Sequence, residues 1–110
     1  MRLLLDTHVF LWALAEPKKL STKARNAITK LENSVFVSPM TAYELSYKHH
    51  PGKLPSGAAI VASFGRQVAH LYASELAISA PHALAAGQLD WEHKDPFDRT
   101  LAAQAMVEGL

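Results

Sequence analysis

The sequence predicts an α/β fold, with a parallel sheet and helices on its faces in a three-layer α/β/α arrangement. Three observations carry the prediction. Leu3-Leu4-Leu5, Val35-Phe36-Val37 and Leu76-Ala77-Ile78 are apolar runs of strand length. Helical patterns separate them, and strands alternating with helices favour parallel pairing. The chain has 110 residues, 49% of them apolar, which suffices for one packed domain and not for two.

Each element has a local reason. The first strand, Leu3–Leu5, ends at Asp6, and Val9, Leu11, Trp12 and Leu14 then recur as on a helix that lasts to Ala15. Glu16-Pro17-Lys18-Lys19 breaks it. Ser21 is a good N-cap for a second helix bearing Ala24, Ala27, Ile28 and Leu31. Asn33-Ser34 turns the chain into the second strand. Ser38-Pro39 opens a helix holding Tyr43, Leu45 and Tyr47, since proline suits the first helical position. Pro51 to Gly57 reads as a loop. A long helix is expected from about Ala58 to Leu71, with Ile60, Val61, Phe64, Val68 and Leu71 on its apolar side. The third strand, Leu76–Ile78, precedes a short helix from Pro81 to Leu89. Asp95-Pro96 starts a last helix that Gly109 ends.

Composition excludes several classes. There is no cysteine, so disulfides, thiolate zinc sites and cysteine nucleophiles are ruled out; this fits a reducing cytoplasm. No apolar stretch reaches membrane-spanning length, so no membrane association is expected. A net charge of +1 disfavours a broadly basic nucleic-acid binder while leaving room for a local grip on RNA. Six histidines suggest metal, but none has the HExxH spacing. His49-His50 reads as a solvated loop, and His8 as a packed or surface residue.

The carboxylates are more informative. Ligands of open α/β sheets bind beyond the carboxyl ends of the strands, where Asp6 lies. Asp6 also suits the N-cap of the following helix, and the two roles are compatible. Glu44 falls a turn and a half into its helix; Thr41-Ala42-Tyr43-Glu44 has capping-box form, although Ser38-Pro39 is the better helix start. A carboxylate there needs a partner if it faces the core. Asp95 reads as an N-cap. Asp98 is favoured by the helix dipole and shares a face with Leu101, Ala102 and Ala105, so it should crown a buried stripe. Acids on consecutive β-α units repel unless they share a cation, and Mg²⁺ prefers such oxygens.

These residues carry a family resemblance. Leu3-Leu4-Leu5-Asp6-Thr7-His8 with Leu11-Trp12-Ala13-Leu14 resembles the opening of a PIN-domain ribonuclease of the VapC toxin type. Ser38-Pro39-Met40-Thr41-Ala42-Tyr43-Glu44-Leu45-Ser46-Tyr47-Lys48, followed by Gly52-Lys53-Leu54, is similar to its second motif. His93-Lys94-Asp95-Pro96-Phe97-Asp98-Arg99-Thr100-Leu101-Ala102-Ala103-Gln104-Ala105 is similar to its third, the most specific of the three. The resemblance implies that Asp6, Glu44 and Asp98 hold Mg²⁺ or Mn²⁺ with Asp95 as an accessory acid, and that Thr7 supports them through its hydroxyl. It also implies cleavage of an RNA phosphodiester by metal-activated water, a cognate antitoxin that neutralises the toxin, and a homodimer. The family continues beyond its last helix with further strands and a fourth acid, so residues 1–110 are expected to be a single, C-terminally incomplete domain.

Two other readings compete. Haloacid-dehalogenase-like phosphatases also use a strand-end Asp, but they need a second Asp where this chain has His8. A catalytically impaired domain that only captures antitoxin or toxin subunits is the stronger rival. Arg99 has two roles open to it, a phosphate contact or an ion pair with Asp95 one helical turn away. Trp12, Phe36 and Phe97 are expected in the core, and Trp91 has no clear place.

Overall fold

A computed structural model describes residues 1–49, 57–90, 92 and 95–110. The expected loop at 51–57, the basic-histidine segment around His50, Trp91, His93 and Lys94 lie wholly or largely outside the described residues. Strand β1 (Arg2–Leu4) leads into α1 (Thr7–Ala15), a 3-10 turn at Pro17–Lys19 and α2 (Thr22–Thr29). Strand β2 (Ser34–Val37) leads into α3 (Pro39–His49), α4 (Gly57–Ala62) and α5 (Phe64–His70). Strand β3 (Ser74–Glu75) is followed by α6 (Ala80–Gln88) and α7 (Pro96–Glu108).

The sheet is parallel throughout, as the sequence predicts, and β2 lies in its centre. Leu3 pairs with Val35 and Leu4 with Phe36, and the Leu5 N–H extends the ladder to the Phe36 carbonyl at 3.0 Å. The central strand carries the apolar weight, with Val35 and Val37 both buried. They join Leu5, Phe10, Leu20, Ile28, Leu45, Ile60 and Val68 in one cluster that draws on helices α1 to α5. Helix α7 packs on α6 and α3, and α1 on α3. Among the described residues no helix is long and apolar enough to cross a membrane.

Helix starts follow their caps. The Ser21 Oγ accepts from the Ala24 N–H at 3.0 Å, and the Ser38 Oγ from the Met40 N–H at 3.0 Å. Ser79 and His82 form a capping box at α6. Helix α7 ends at Gly109, whose φ of 71° places it in the left-handed region that glycine enters without steric cost.

Two sequence expectations need correction. The single helix from Ala58 to Leu71 is two helices broken at Ser63, which leaves helical geometry at φ −133°, ψ 35°. Its hydroxyl donates to the Ala59 carbonyl at 2.7 Å, a back-bond that competes with the helical ladder. The break lets Ile60 and Val68 reach the same core. The third strand lies at Ser74–Glu75 rather than Leu76–Ile78. Phe36 pairs with Ser74 and Val37 with Glu75, so β2 ends before the apolar run arrives. The Leu76 N–H makes the last bond to β2, and the Leu76 and Ala77 carbonyls instead accept from the Gln104 side chain.

Candidate metal centre

The site grows from the carboxyl ends of β1 and β2. Asp6 leaves β1 in extended geometry and N-caps α1, its Oδ1 accepting from the Val9 N–H at 2.7 Å. The residue is exposed at the sheet edge. Capping thus fixes one carboxylate oxygen while the strand fixes its position.

Thr7, the first residue of α1, is 5% exposed. Its Oγ1 donates to Glu44 Oε1 at 2.6 Å. A hydroxyl has one proton, so the 3.4 Å contact between Thr7 and Thr41 has Thr41 as donor. A chain of two hydroxyls, Thr41 to Thr7 to Glu44, therefore ends on the carboxylate.

Glu44 is 2% exposed on α3. The capping-box alternative is not realised, because Ser38 starts the helix and Glu44 turns inward to Thr7. The inward face of α3 also carries the fully buried Thr41 and Leu45. One turn beyond Glu44, the Lys48 ammonium donates to Oε2. Lys48 keeps 44% of its side chain exposed while the Glu44 side chain keeps 3%. A carboxylate this buried is tolerable only with a compensating charge and filled lone pairs.

Helix α7 supplies the other acids. Asp95 is its N-cap, with Oδ1 accepting from the Phe97 N–H at 2.8 Å and the Asp98 N–H at 3.4 Å. Asp98 is half-buried in the first turn. The buried stripe of α7 runs through Thr100, Leu101, Ala103 and Gln104. It therefore lies to one side of the predicted line through Leu101, Ala102 and Ala105. The Phe97 ring meets Tyr43 edge-on at 5.2 Å between centroids and Tyr47 at 6.3 Å, which docks α7 on α3.

Electrostatics ties the two helices together. The Lys48 ammonium has its pKa held above the ordinary 10.5, first by its hydrogen bond to Glu44. Desolvation opposes the shift, and the charges of Glu44, Asp95 and Asp98 reinforce it. Lys48 thus stands in the joint field of three of the four predicted acids. Among the described residues no three acids or histidines already stand as a ligand group for a metal ion. Glu44 meets Thr7 and Lys48 directly, and the charges of Asp95 and Asp98 act on Lys48, whereas the Asp6 carboxylate is engaged in its cap of Val9.

Other candidates lie elsewhere. Arg99 donates from Nη2 to the Ala86 carbonyl at 2.8 Å and the Leu89 carbonyl at 3.0 Å, so it closes the end of α6. His8 is exposed and its ring lies 5.9 Å from that of Trp12. Trp12, Phe36 and Phe97 are half-buried rather than central. The sequence reading overlooked Lys48 as the partner of Glu44, although a Glu four residues before a Lys on one helix was the available signal. It also missed His82, which is 2% exposed and bonded to Glu108 at 2.8 Å.

Comparison with known proteins agrees with this architecture. The family model described as PIN domain matches residues 3–110. A search of curated proteins gave no match. A solved structure from Rickettsia felis, VapBC2 bound to a DNA fragment from their promoter, superposes with a TM-score of 0.68. It is 19% identical, and the match covers 99% of this chain and 83% of that one, so the likeness is one of fold. With the family model spanning nearly the whole sequence, the chain belongs to the PIN-domain family.

Proposed function

We propose that the protein is a toxin-type endoribonuclease that cleaves RNA phosphodiesters with a divalent cation. The observation that carries the reading is Glu44, a carboxylate 2% exposed at the carboxyl edge of a parallel sheet and paired with a cation. Hard carboxylate oxygens are the ligands that Mg²⁺ or Mn²⁺ prefers, although among the described residues no three acids stand together as a ligand group. Asp6, Glu44 and Asp98 would hold the ion, with Asp95 as an accessory acid. When bound, such an ion supplies an activated water and neutralises charge on the phosphate.

The remaining work belongs to the chain. Thr7 holds Glu44 Oε1 in one orientation, and Thr41 holds Thr7. The α1 cap keeps Asp6 at the strand end. No protein nucleophile is needed, and the products are a 5′-phosphate and a 3′-hydroxyl. Membership of the PIN family supports a nuclease. The structural neighbour is named as a VapBC2 assembly, which supports a cognate antitoxin as partner.

Asp6→Asn tests the reading, since Asn keeps the shape and the cap while removing the charge. Mg²⁺-dependent RNA cleavage should disappear, with an unchanged circular dichroism spectrum. Cleavage that persists in the variant, or in excess chelator, excludes the metal mechanism.

A further inference from the structure

At the start of α6 a histidine stands where a capping box ordinarily has Glu or Gln. His82, the third residue of the helix, is 2% exposed. Its Nδ1 accepts from the Ser79 N–H at 2.9 Å, and the Ser79 Oγ accepts from the His82 N–H at 3.4 Å. A backbone N–H can only donate, so Nδ1 carries no proton and the ring proton is on Nε2. Nε2 donates it to Glu108 Oε2 at 2.8 Å, in the last turn of α7. One buried ring therefore closes the start of α6 and ties it to the end of α7, and it does both only when neutral.

A second proton has only Nδ1 to go to, where it would point at the Ser79 N–H. The two bonds then part company. Nε2 carries a proton in either state, so Glu108 keeps its donor, whereas Ser79 loses its acceptor. A cation in the first turn also meets the positive end of the α6 dipole. The charged groups around the ring leave this division intact. Arg2 of β1 lies on the far side of Glu108, donating to its carbonyl at 2.9 Å and standing 4.0 Å from Oε1. Arg99 of α7 binds the carbonyls at the other end of α6, and α6 has no titratable side chain besides His82.

We infer that His82 is a proton-operated latch on α6: the neutral ring holds the Ser79 cap closed, and the protonated ring keeps Glu108 but releases the first turn of the helix. Histidine is the side chain that ordinarily changes charge between about pH 5 and 8, so the latch works in a range where a Gln in the same place would not respond. The released part is local. Arg99 still fastens the far end of α6, and Arg2 still ties the end of α7 to β1. The inference does not depend on the nuclease reading.

Residue-resolved amide hydrogen exchange of the full chain at about pH 5 and about pH 8 tests the latch, with rates corrected for the intrinsic effect of pH. Protection of the Ser79, His82 and Ala83 amides should fall on the order of tenfold at the lower pH, the effect of losing one cap. The Leu45 amide in α3 should hold. The imidazole nitrogen shifts of His82 should report the Nε2–H tautomer at the higher pH and a doubly protonated ring at the lower. His82→Gln can make the reach-back bond of an ordinary capping box and does not titrate, so its first-turn protection should be the same at both values. If His82→Gln does not fold, the ring shifts and exchange rates of the unaltered protein decide the matter. A ring that keeps one protonation state across the range overturns the inference. So does first-turn protection that stays constant while the ring titrates, or an equal fall in folded His82→Gln.

Discussion

Thr7 gives its only hydroxyl proton to a carboxylate that water scarcely reaches. Its loss leaves Glu44 Oε1 buried without a donor, since Lys48 occupies the other oxygen. Thr7→Val preserves the volume and removes that bond. It should lower the unfolding free energy by about 1–3 kcal/mol, the usual cost of an unsatisfied buried group at a charge. Thr7→Ser should recover most of the loss. Urea denaturation of the three proteins measures this, and a Thr7→Val midpoint equal to that of the parent would show that Glu44 finds another donor. The same residue shows why a local reading falls short. Asp6 and Glu44 stand out as strand-end and in-helix acids, but their connection runs through a threonine and a second helix 37 residues away.

At the scale of elements, polar side chains fasten both ends of α6 to α7. His82 Nδ1 accepts from the Ser79 N–H at 2.9 Å, which leaves Nε2 as the donor to Glu108. Glu108 lies in the last turn of α7, and its carbonyl also accepts from Arg2 at 2.9 Å. Arg99 fastens the far end of α6, and Gln104 fastens the chain after β3. His82→Leu removes both the capping acceptor and the link to Glu108, and should cost about 2–3 kcal/mol. Hydrogen exchange should show faster opening in α6 than in α3, because α3 is anchored in the apolar cluster through Leu45. Uniform acceleration across both helices would mean that α6 has no separate stability.

Element starts are legible wherever a cap sits beside its helix, as at Ser21, Ser38-Pro39 and Asp95-Pro96. The break at Ser63 is not, because serine is tolerated in helices and only its bond to Ala59 marks the turn. The apolar run Leu76–Ile78 misleads for a related reason. It is hydrophobic enough for a strand, but β2 ends at Val37, whose carbonyl the Leu76 N–H already takes.

At the scale of the molecule, one cluster unites β1, β2 and helices α1 to α5, with Phe10 fully buried in it. The Phe10 ring lies 5.4 Å from that of Phe64, so the helix that begins at the site also grips α5. Phe10→Ala should destabilise the protein by about 3–5 kcal/mol through lost burial and a residual cavity. Thermal unfolding should remain a single transition, followed alike by tryptophan fluorescence and circular dichroism. Divergent transitions from the two probes would show that the site region and the rest of the sheet unfold separately.

By itself the sequence determined the α/β class and most helix starts and marked the candidate acids, because apolar periodicity, caps and strand-end positions act within a few residues. Tertiary structure alone decided the register of β3, the split of α4 from α5 and the commitment of Arg99 to the end of α6. It also decided that Glu44 is shared between Thr7 and Lys48 in the field of Asp95 and Asp98. Those outcomes depend on which surfaces meet once the helices pack, and burial then forces each polar group to take whatever partner the packing has brought within reach.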